Sequence, residues 1–323
     1  MKISLSGIKP TSTPHIGNHL GMIMPAIELQ NRYDCRYFIA DYHAMTTIHN
    51  AEKMREYSYG IAAYFLAFGL DPKKCVFYRQ SDLPQVCELT WLLSCITNMG
   101  LLERAHAWKA AKDRGSDGSE PHGLFAYPVL MAADILIHDA DVVPVGKDQI
   151  QHVEMTRDMA ERFNFIFGDT FHLPAAIVSE RLHTIPGLDG RKMSKSYDNT
   201  INLMLPLKKL KQQIMSIVTD STPIDQPKNH ENCNVFNLYK LFASPEQIEE
   251  LTLNYQTPGF GYGHAKLALF QRLTELTEQP RKIYDDYMAH PNTIEDILQD
   301  GAARASIKMN EVLHRARKAA GYR

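Results

Sequence analysis

Nowhere in the chain do about 18 apolar residues run together, so no stretch reads as a membrane-spanning helix. The N-terminus offers one lysine and a short apolar patch, too short for a secretory signal. Cysteine is sparse. The five present (Cys35, Cys75, Cys87, Cys95 and Cys233) form no CxxC pair and no Cys/His cluster of zinc spacing, which leaves no structural zinc to predict. Their odd number and mostly apolar neighbours suggest buried, reduced thiols in a cytoplasmic protein. A net charge of −2 gives no global nucleic-acid signal: DNA is not an expected partner, and any RNA contact must come from local patches. What remains is ordinary globular composition, 44% hydrophobic and 22% charged. The 323 residues suggest two domains, or one large domain with an appendage.

Against that plain background one stretch stands out. Pro186-Gly187-Leu188-Asp189-Gly190 is dense in turn dipeptides and leads into Arg191-Lys192-Met193-Ser194-Lys195-Ser196. A loop with two ammonium groups and two hydroxyls in five residues suits a polyphosphate, since cations neutralise its charge and hydroxyls and amides donate to its oxygens. A solvated basic turn has the same composition. The pentapeptide Lys192–Ser196 would arise by chance on the order of once in ten thousand chains of this length.

A second phosphate-like element lies near the N-terminus. Ile3 to Ile8 alternates and stops at Lys9-Pro10, a short strand entering a turn. His15-Ile16-Gly17-Asn18 then opens a helix whose apolar face carries Leu20, Ile23, Met24, Ile27 and Leu29. Strand, turn and helix start together make an anion site, because free N–H groups and the helix dipole attract phosphate. Gly17 leaves the backbone open to a flat base, and His15 and Asn18, three apart, share a helix face. A histidine at a helix start also serves simply as a cap.

These two elements carry a resemblance. Lys192–Ser196 matches the KMSKS loop of the class I aminoacyl-tRNA synthetases residue for residue. His15-Ile16-Gly17-Asn18 resembles their HIGH element, with Asn for the last His. That departure, and the opening Ser6-Gly7-Ile8-Lys9-Pro10-Thr11, is familiar among the tryptophanyl members of the tyrosyl/tryptophanyl subfamily. The resemblance implies a Rossmann-like doubly wound parallel sheet, an α/β catalytic domain over 1–200. It also implies a helical insertion at about 60–130, where subunits dimerise, and an α-helical anticodon-binding domain over 201–323. It implies activation of L-tryptophan by ATP with Mg²⁺, transfer to tRNA(Trp), and a homodimer. Lys192, Lys195, His15 and Asn18 take the catalytic roles. Mg²⁺ comes with ATP, and no protein side chain is assigned as its ligand.

Further ATP contacts fall on Lys9, Pro10, Thr11, Gly17, Met193, Ser194 and Ser196. The run Val143-Pro144-Val145-Gly146-Lys147-Asp148-Gln149 is similar to the tryptophanyl enzymes at almost every position and places Gly146, Lys147 and Asp148 on the nucleotide. Asp148 alone reads equally as a helix N-cap. Leu182 follows from the adenine-facing stretch 181–183.

The amino-acid pocket separates tryptophan from tyrosine. The run 125–137 is apolar but for Asp134, which must be paired if buried. A structural, salt-bridged aspartate satisfies that demand, and so does an acceptor for the indole N–H, the one donor a tryptophan side chain has. By resemblance Asp134 takes that proton, Met131 packs the ring, Tyr127 approaches its edge or the ammonium, and His43, Leu5 and Gln149 complete the site. His43 alone reads equally as a core histidine. A tyrosyl enzyme needs a polar pair around a phenol oxygen, which the run lacks. Leu5 stands where many relatives have an aromatic residue, and Lys9 where many have Gln.

Elsewhere, strands are expected at 36–40, 76–78 and 141–145, and helices at 51–70, 89–95, 99–112 and 149–162. The segment 113–123 reads as a flexible loop. After Ser196 only helices are expected, at 207–218, 236–242, 245–255, 262–278, 280–288 and 294–321. The last has a basic excess suited to RNA backbone, though such a face is commonly just solvated. A tyrosyl enzyme and a catalytically retired, RNA-binding paralogue are the competing readings.

Overall fold

The computed structural model describes residues 1–113, 115, 120–146, 149–178 and 185–323. Five strands, β1 (Ile3–Ile8), β2 (Asp34–Ile39), β3 (Val76–Arg79), β4 (Val142–Val145) and β5 (Ala175–Val178), form one all-parallel sheet in the order β3-β2-β1-β4-β5. Cys35 to Ile39 in β2 are buried without alternation, as parallel strands are when helices cover both faces. The order reverses at β1, which pairs with β2 on one side and β4 on the other. The doubly wound sheet is therefore present, and ligands of such sheets bind beyond the carboxyl ends of the strands at that reversal. No helix among the described residues is long and apolar enough to cross a membrane.

Contacts divide the chain into two compact units that interleave along the sequence: residues 1–12, 25–179 and 287–323, and residues 13–24 and 180–286. The first unit holds the sheet, the helices Ala51–Ala67, Gln85–Ser94, His122–Leu136 and Ile150–Phe167, and the last helix, Pro291–Ala319. That last helix packs on β3 so closely that a Cβ on Gly301 would stand 1.8 Å from the Phe77 carbonyl oxygen. Only glycine permits this approach. Much of the helix's basic excess is spent on the first unit itself. Arg304 donates to the carbonyls of Pro72 and Cys75 at 2.7 Å, Arg315 pairs with Asp139 at 2.5 Å, and Arg317 with Glu88 at 2.5 Å.

At two places the expected helices differ from the observed ones. The stretch 99–112 is two helices, Met99–Glu103 and His106–Asp113. Gln151 reaches in between them, accepting from the His106 N–H at 3.1 Å and donating to the Arg104 carbonyl at 3.0 Å, so these backbone groups leave the helical ladder. Conversely, Pro280 does not end a helix: Tyr262–Ala289 runs through it. A proline removes one N–H, and the carbonyl four residues earlier belongs to Leu276, which is exposed and open to water.

The second unit contains the helices Leu207–Met215, Asn234–Tyr239, Pro245–Gln256 and most of Tyr262–Ala289. The N-terminal segment is tied into it where the Ile16 N–H donates to the Ile201 carbonyl at 2.9 Å. Arg281 holds the same segment by donating to the carbonyls of Leu203 and Leu205.

Candidate active site

In the second unit, the helix expected after the first strand opens at His15. His15 and Asn18 cap each other: the Asn18 N–H donates to His15 Nδ1, and the His15 N–H to Asn18 Oδ1, each at 3.3 Å. This settles the tautomer. Nδ1 is an acceptor, so a neutral ring carries its proton on Nε2 and offers one outward donor. Burial and the nearby Lys195 ammonium lower the His15 pKa to about 4, so the ring is neutral at physiological pH. The His15 ring also lies across Gly17, where a Cβ would meet its Cε1 and Nδ1 at 2.8 Å and Met193 Cβ at 3.8 Å. Gly17 is thus required by the histidine itself, a reason the sequence does not display. It also brings the loop's Met193 to the helix start.

The helix departs from the regular pattern its apolar face suggests. His19–Ile23 is a π turn, with the Met24 N–H donating to the His19 carbonyl five residues back. The cause stands next in sequence: Pro25 has no N–H to donate and its ring needs room in the preceding turn, which widening supplies. His19 is buried within that turn, and burial lowers its pKa to about 4.

The lysine- and serine-rich loop is more ordered than its composition suggests. Its base is a short antiparallel bridge between Pro186 and Lys192, with the Met193 N–H donating to the Ile185 carbonyl at 2.8 Å and the Met193 side chain buried. One residue beyond the motif organises it. Asn199, 2% exposed, donates to Asp189 Oδ1 at 2.7 Å and to the Lys192 carbonyl at 3.1 Å, and accepts the Ser194 N–H at 2.8 Å. Ser194 Oγ then accepts the Ser196 N–H at 3.3 Å and meets Ser196 Oγ at 2.8 Å. With its backbone anchored, the loop presents exposed Lys192 and Lys195 side chains. The Lys195 chain is exposed, yet its ammonium end is enclosed enough for desolvation to lower its pKa. The structure thus brings His15, Gly17, Met193 and Lys195 together within one unit.

The second cluster lies in the first unit, at the carboxyl ends of β1, β2 and β3. Asp134 belongs to the apolar helix His122–Leu136 and is 3% exposed. Its Oδ2 meets His43 Nε2 at 2.8 Å, and its Oδ1 accepts from Gln80 Nε2 at 2.7 Å. Burial raises the Asp134 pKa above the usual carboxylate range, and the His43 and Gln80 hydrogen bonds offset only part of that rise. His43 sits on the short helix Asp41–Ala44 that follows β2, and its ring meets Tyr127 edge-on at 6.3 Å between centroids. The Tyr127 hydroxyl bonds to His152 Nε2 at 2.9 Å, and burial pushes its pKa up to about 12. Leu5 is fully buried in the core cluster, with Met131 packed against it.

Lys9 places its ammonium 5.3 Å from the centre of the Tyr127 ring. The residue as a whole is exposed, but its charged end lies among enough protein atoms for desolvation to lower its pKa. Pro10 is buried beside it, Thr11 closes the turn by donating to the Lys9 carbonyl at 2.9 Å, and Gly146 follows β4 at the corresponding strand end. Gln149 stands at the start of the helix Ile150–Phe167, where its side chain makes no capping hydrogen bond. Lys147, Asp148 and Leu182 lie outside the described residues, as does much of 113–123.

A buried polar chain supports the Asp134 helix from behind. Arg36 Nη1 meets His138 Nδ1 at 3.0 Å, and Tyr78 Oη meets His138 Nε2 at 2.7 Å. A guanidinium can only donate, so Nδ1 accepts and the ring proton is on Nε2, directed to the tyrosine oxygen. Burial, with the Arg36 charge, keeps His138 neutral by lowering its pKa well below the usual value. Sequence reasoning passed over this chain and over Gln80 and Asn199. Gln80 had one signal, its place at the carboxyl end of a strand. Asn199 had none, because its partners are scattered over ten residues.

With this geometry in place, comparison with known proteins identifies the class. The chain belongs to the tRNA synthetases class I (W and Y), whose pattern it matches over residues 2–278. Within that family, its relatives include the tryptophan–tRNA ligase of Fusobacterium nucleatum, 46% identical over 322 residues, which cover 99% of this chain and 98% of that one. The tryptophan–tRNA ligase of Campylobacter jejuni is 48% identical over 93% of this chain and 94% of that one. The crystal structure of the C. jejuni tryptophanyl-tRNA synthetase with ADP and tryptophan superposes with a TM-score of 0.95, at 45% identity, covering 99% of this chain and all of that one. A tyrosyl-tRNA synthetase from Archaeoglobus fulgidus, at 19% identity and a TM-score of 0.65, shares the fold.

Proposed function

We propose that this protein is a tryptophan–tRNA ligase. It activates L-tryptophan with ATP to tryptophanyl-adenylate and transfers the acyl group to tRNA(Trp). The observation that carries the specificity is Asp134, a lone carboxylate in an apolar helix, held by two donors and able to accept a third. Its chemistry matches the indole N–H, a group that only donates, whereas a phenol O–H both donates and accepts and calls for a polar pair that the run 125–137 does not supply. Met131 and Leu5 supply the apolar walls of that pocket, Tyr127 and His43 its polar edge, and Gln149 contacts the amino acid's polar end.

In the first step a tryptophan carboxylate oxygen attacks the α-phosphorus of ATP. The bond from that phosphorus to the β-bridging oxygen breaks, and pyrophosphate leaves. No side chain forms a covalent bond; the catalysis is positioning and charge stabilisation. Lys192 and Lys195 neutralise the charge that develops on pyrophosphate. The His15 Nε2–H and the amide of Asn18 donate to phosphate oxygens, and a neutral imidazole is the required form, since only that tautomer both caps the helix and donates. Lys9, Pro10, Thr11, Gly17, Gly146, Lys147, Asp148, Leu182, Met193, Ser194 and Ser196 line the nucleotide. Mg²⁺ enters with the phosphates of ATP, screening their charge. In the second step a ribose hydroxyl of the terminal tRNA adenosine, the 2′ position in this class, attacks the acyl carbon and AMP departs.

The working form is a cytoplasmic homodimer, a reading supported by the large exposed side chains of Trp91 and Met99 in the insertion at 60–130. Anticodon recognition falls to the helical region after residue 200. The test is tryptophan-dependent exchange of labelled pyrophosphate into ATP without tRNA, run beside tyrosine and phenylalanine. Exchange with tryptophan alone is expected, and Asp134→Ala should raise the tryptophan KM about 10- to 100-fold by leaving the indole N–H unpaired. Exchange with tyrosine would overturn the pocket assignment. No exchange, in a folded protein that binds ATP, would favour the retired paralogue.

A further inference from the structure

We infer that Gln80 is the positioning residue that makes Asp134 an acceptor and thereby sets the preference for a ring bearing an N–H. The inference rests on the reading of Asp134 as the indole acceptor and adds the group that keeps it so.

Gln80 lies at the carboxyl end of β3 and is 1% exposed. Its amide orientation is forced. The Tyr42 backbone N–H donates to Gln80 Oε1 at 3.1 Å, and a backbone N–H has no lone pair to offer, so the oxygen must face it. The nitrogen therefore faces Asp134 and donates at 2.7 Å. The anchor is itself fixed: Asp41 Oδ1 accepts the N–H groups of Tyr42 at 3.1 Å and Ser81 at 3.0 Å, which stitches the end of β2 to the end of β3. Gln80 thus cannot flip or swing without breaking contacts on both sides.

The consequence falls on Asp134. Burial drives a carboxyl toward its protonated form, which would place an O–H where an acceptor is needed. Each donor aimed at it opposes that. His43 covers Oδ2 and Gln80 covers Oδ1, one donor per oxygen, and an ionised carboxylate with about four lone-pair sites keeps capacity for the substrate. A carboxylate so held can only accept, and indole can only donate.

The isosteric change Gln80→Glu isolates this role. The Tyr42 N–H keeps its acceptor, while two carboxylates now face each other across about the same short distance and must share a proton. The fold is kept and the acceptor is compromised. Gln80→Met, of similar length, removes both hydrogen bonds and serves as the second variant, with circular dichroism to confirm folding of each. Pyrophosphate exchange is measured with tryptophan and with β-(benzothiophen-3-yl)alanine, in which sulfur replaces the indole N–H.

The wild type is expected to prefer tryptophan strongly. In both variants kcat/KM for tryptophan should fall about 10- to 100-fold, mainly through KM, while the analogue changes less than about twofold, so the preference collapses. If tryptophan and the analogue fall together in both variants, Gln80 is merely structural and the inference is overturned. If the wild type itself uses both amino acids equally, the reading of Asp134 fails first, and this inference falls with it.

Discussion

Lys9 shows how one substitution shifts a site's chemistry. The Lys9 ammonium, seated over the Tyr127 ring, is partly desolvated, which lowers its pKa and strengthens its attraction for an anion. Where glutamine would donate one neutral hydrogen bond, lysine adds a charge-assisted one, a difference of about 1 kcal/mol. We therefore expect Lys9→Gln to remain active with an ATP KM raised roughly fivefold to tenfold. Loss of activity with ATP affinity unchanged would show that Lys9 acts elsewhere. The departure at this position was visible in the sequence; the aromatic face that holds the lysine was not, because Tyr127 is more than a hundred residues away. Leu5 is the quieter case, a buried core residue from its own strand pattern alone.

At the scale of elements, the loop 186–199 shows how a lysine-rich turn is given a fixed form. Its motif was legible because the chemistry is contiguous. What holds it was not, since Asn199 joins Asp189, Lys192 and Ser194 through one side chain. Removing that side chain leaves the Lys192 carbonyl and the Ser194 N–H without this partner, each bond worth about 1 kcal/mol. Asn199→Ala should lower kcat for pyrophosphate exchange about 10- to 100-fold and raise the ATP KM, with the tryptophan KM within about twofold of wild type. An equal effect on the tryptophan KM would show that the change spreads beyond the loop. The helix breaks teach the same lesson. Pro280 is tolerated because its orphaned carbonyl belongs to an exposed turn, and the regular-looking stretch 99–112 is split by a glutamine, Gln151, from another helix. Intrinsic propensity is a weak prior against such tertiary hydrogen bonds.

Across the whole molecule, buried neutral histidines set the response to acid. His15 and His19 have pKa values lowered to about 4, and His138 is lowered in the same direction. Near neutral pH all three are unprotonated in the folded protein. In the unfolded chain they take up protons as pH falls through about 6.5, so below that value the unfolded state binds more protons and stability falls with pH. The contribution is complete above about pH 6.5 and is lost progressively toward pH 4, on the order of 3 kcal/mol for each of the two rings. Urea midpoints by circular dichroism should agree at pH 7.5 and 6.5 and then drop at 5.5 and 4.5. A midpoint unchanged to pH 4.5 would mean that these rings are hydrated and titrate normally. Paired carboxylates such as Glu295, held below its usual range by Arg79, stay largely ionised above pH 5 and do not account for the early part of the fall.

The sequence by itself determined the class. Short contiguous motifs of lysine, serine, histidine and glycine and a lone carboxylate in an apolar run are local features, and local features survive in a string of letters. The tertiary structure decided what each motif is held by: the histidine ring that demands Gly17, the asparagine that anchors the loop, the glutamine that orients Asp134, and the closeness at Gly301 that docks the last helix on β3. These are contacts that the order of residues does not display, whether the partners are near in sequence, as at Gly17, or distant, as at Gly301. Hydrogen bonding and close packing depend on distances of a few ångströms, and only the folded chain defines them.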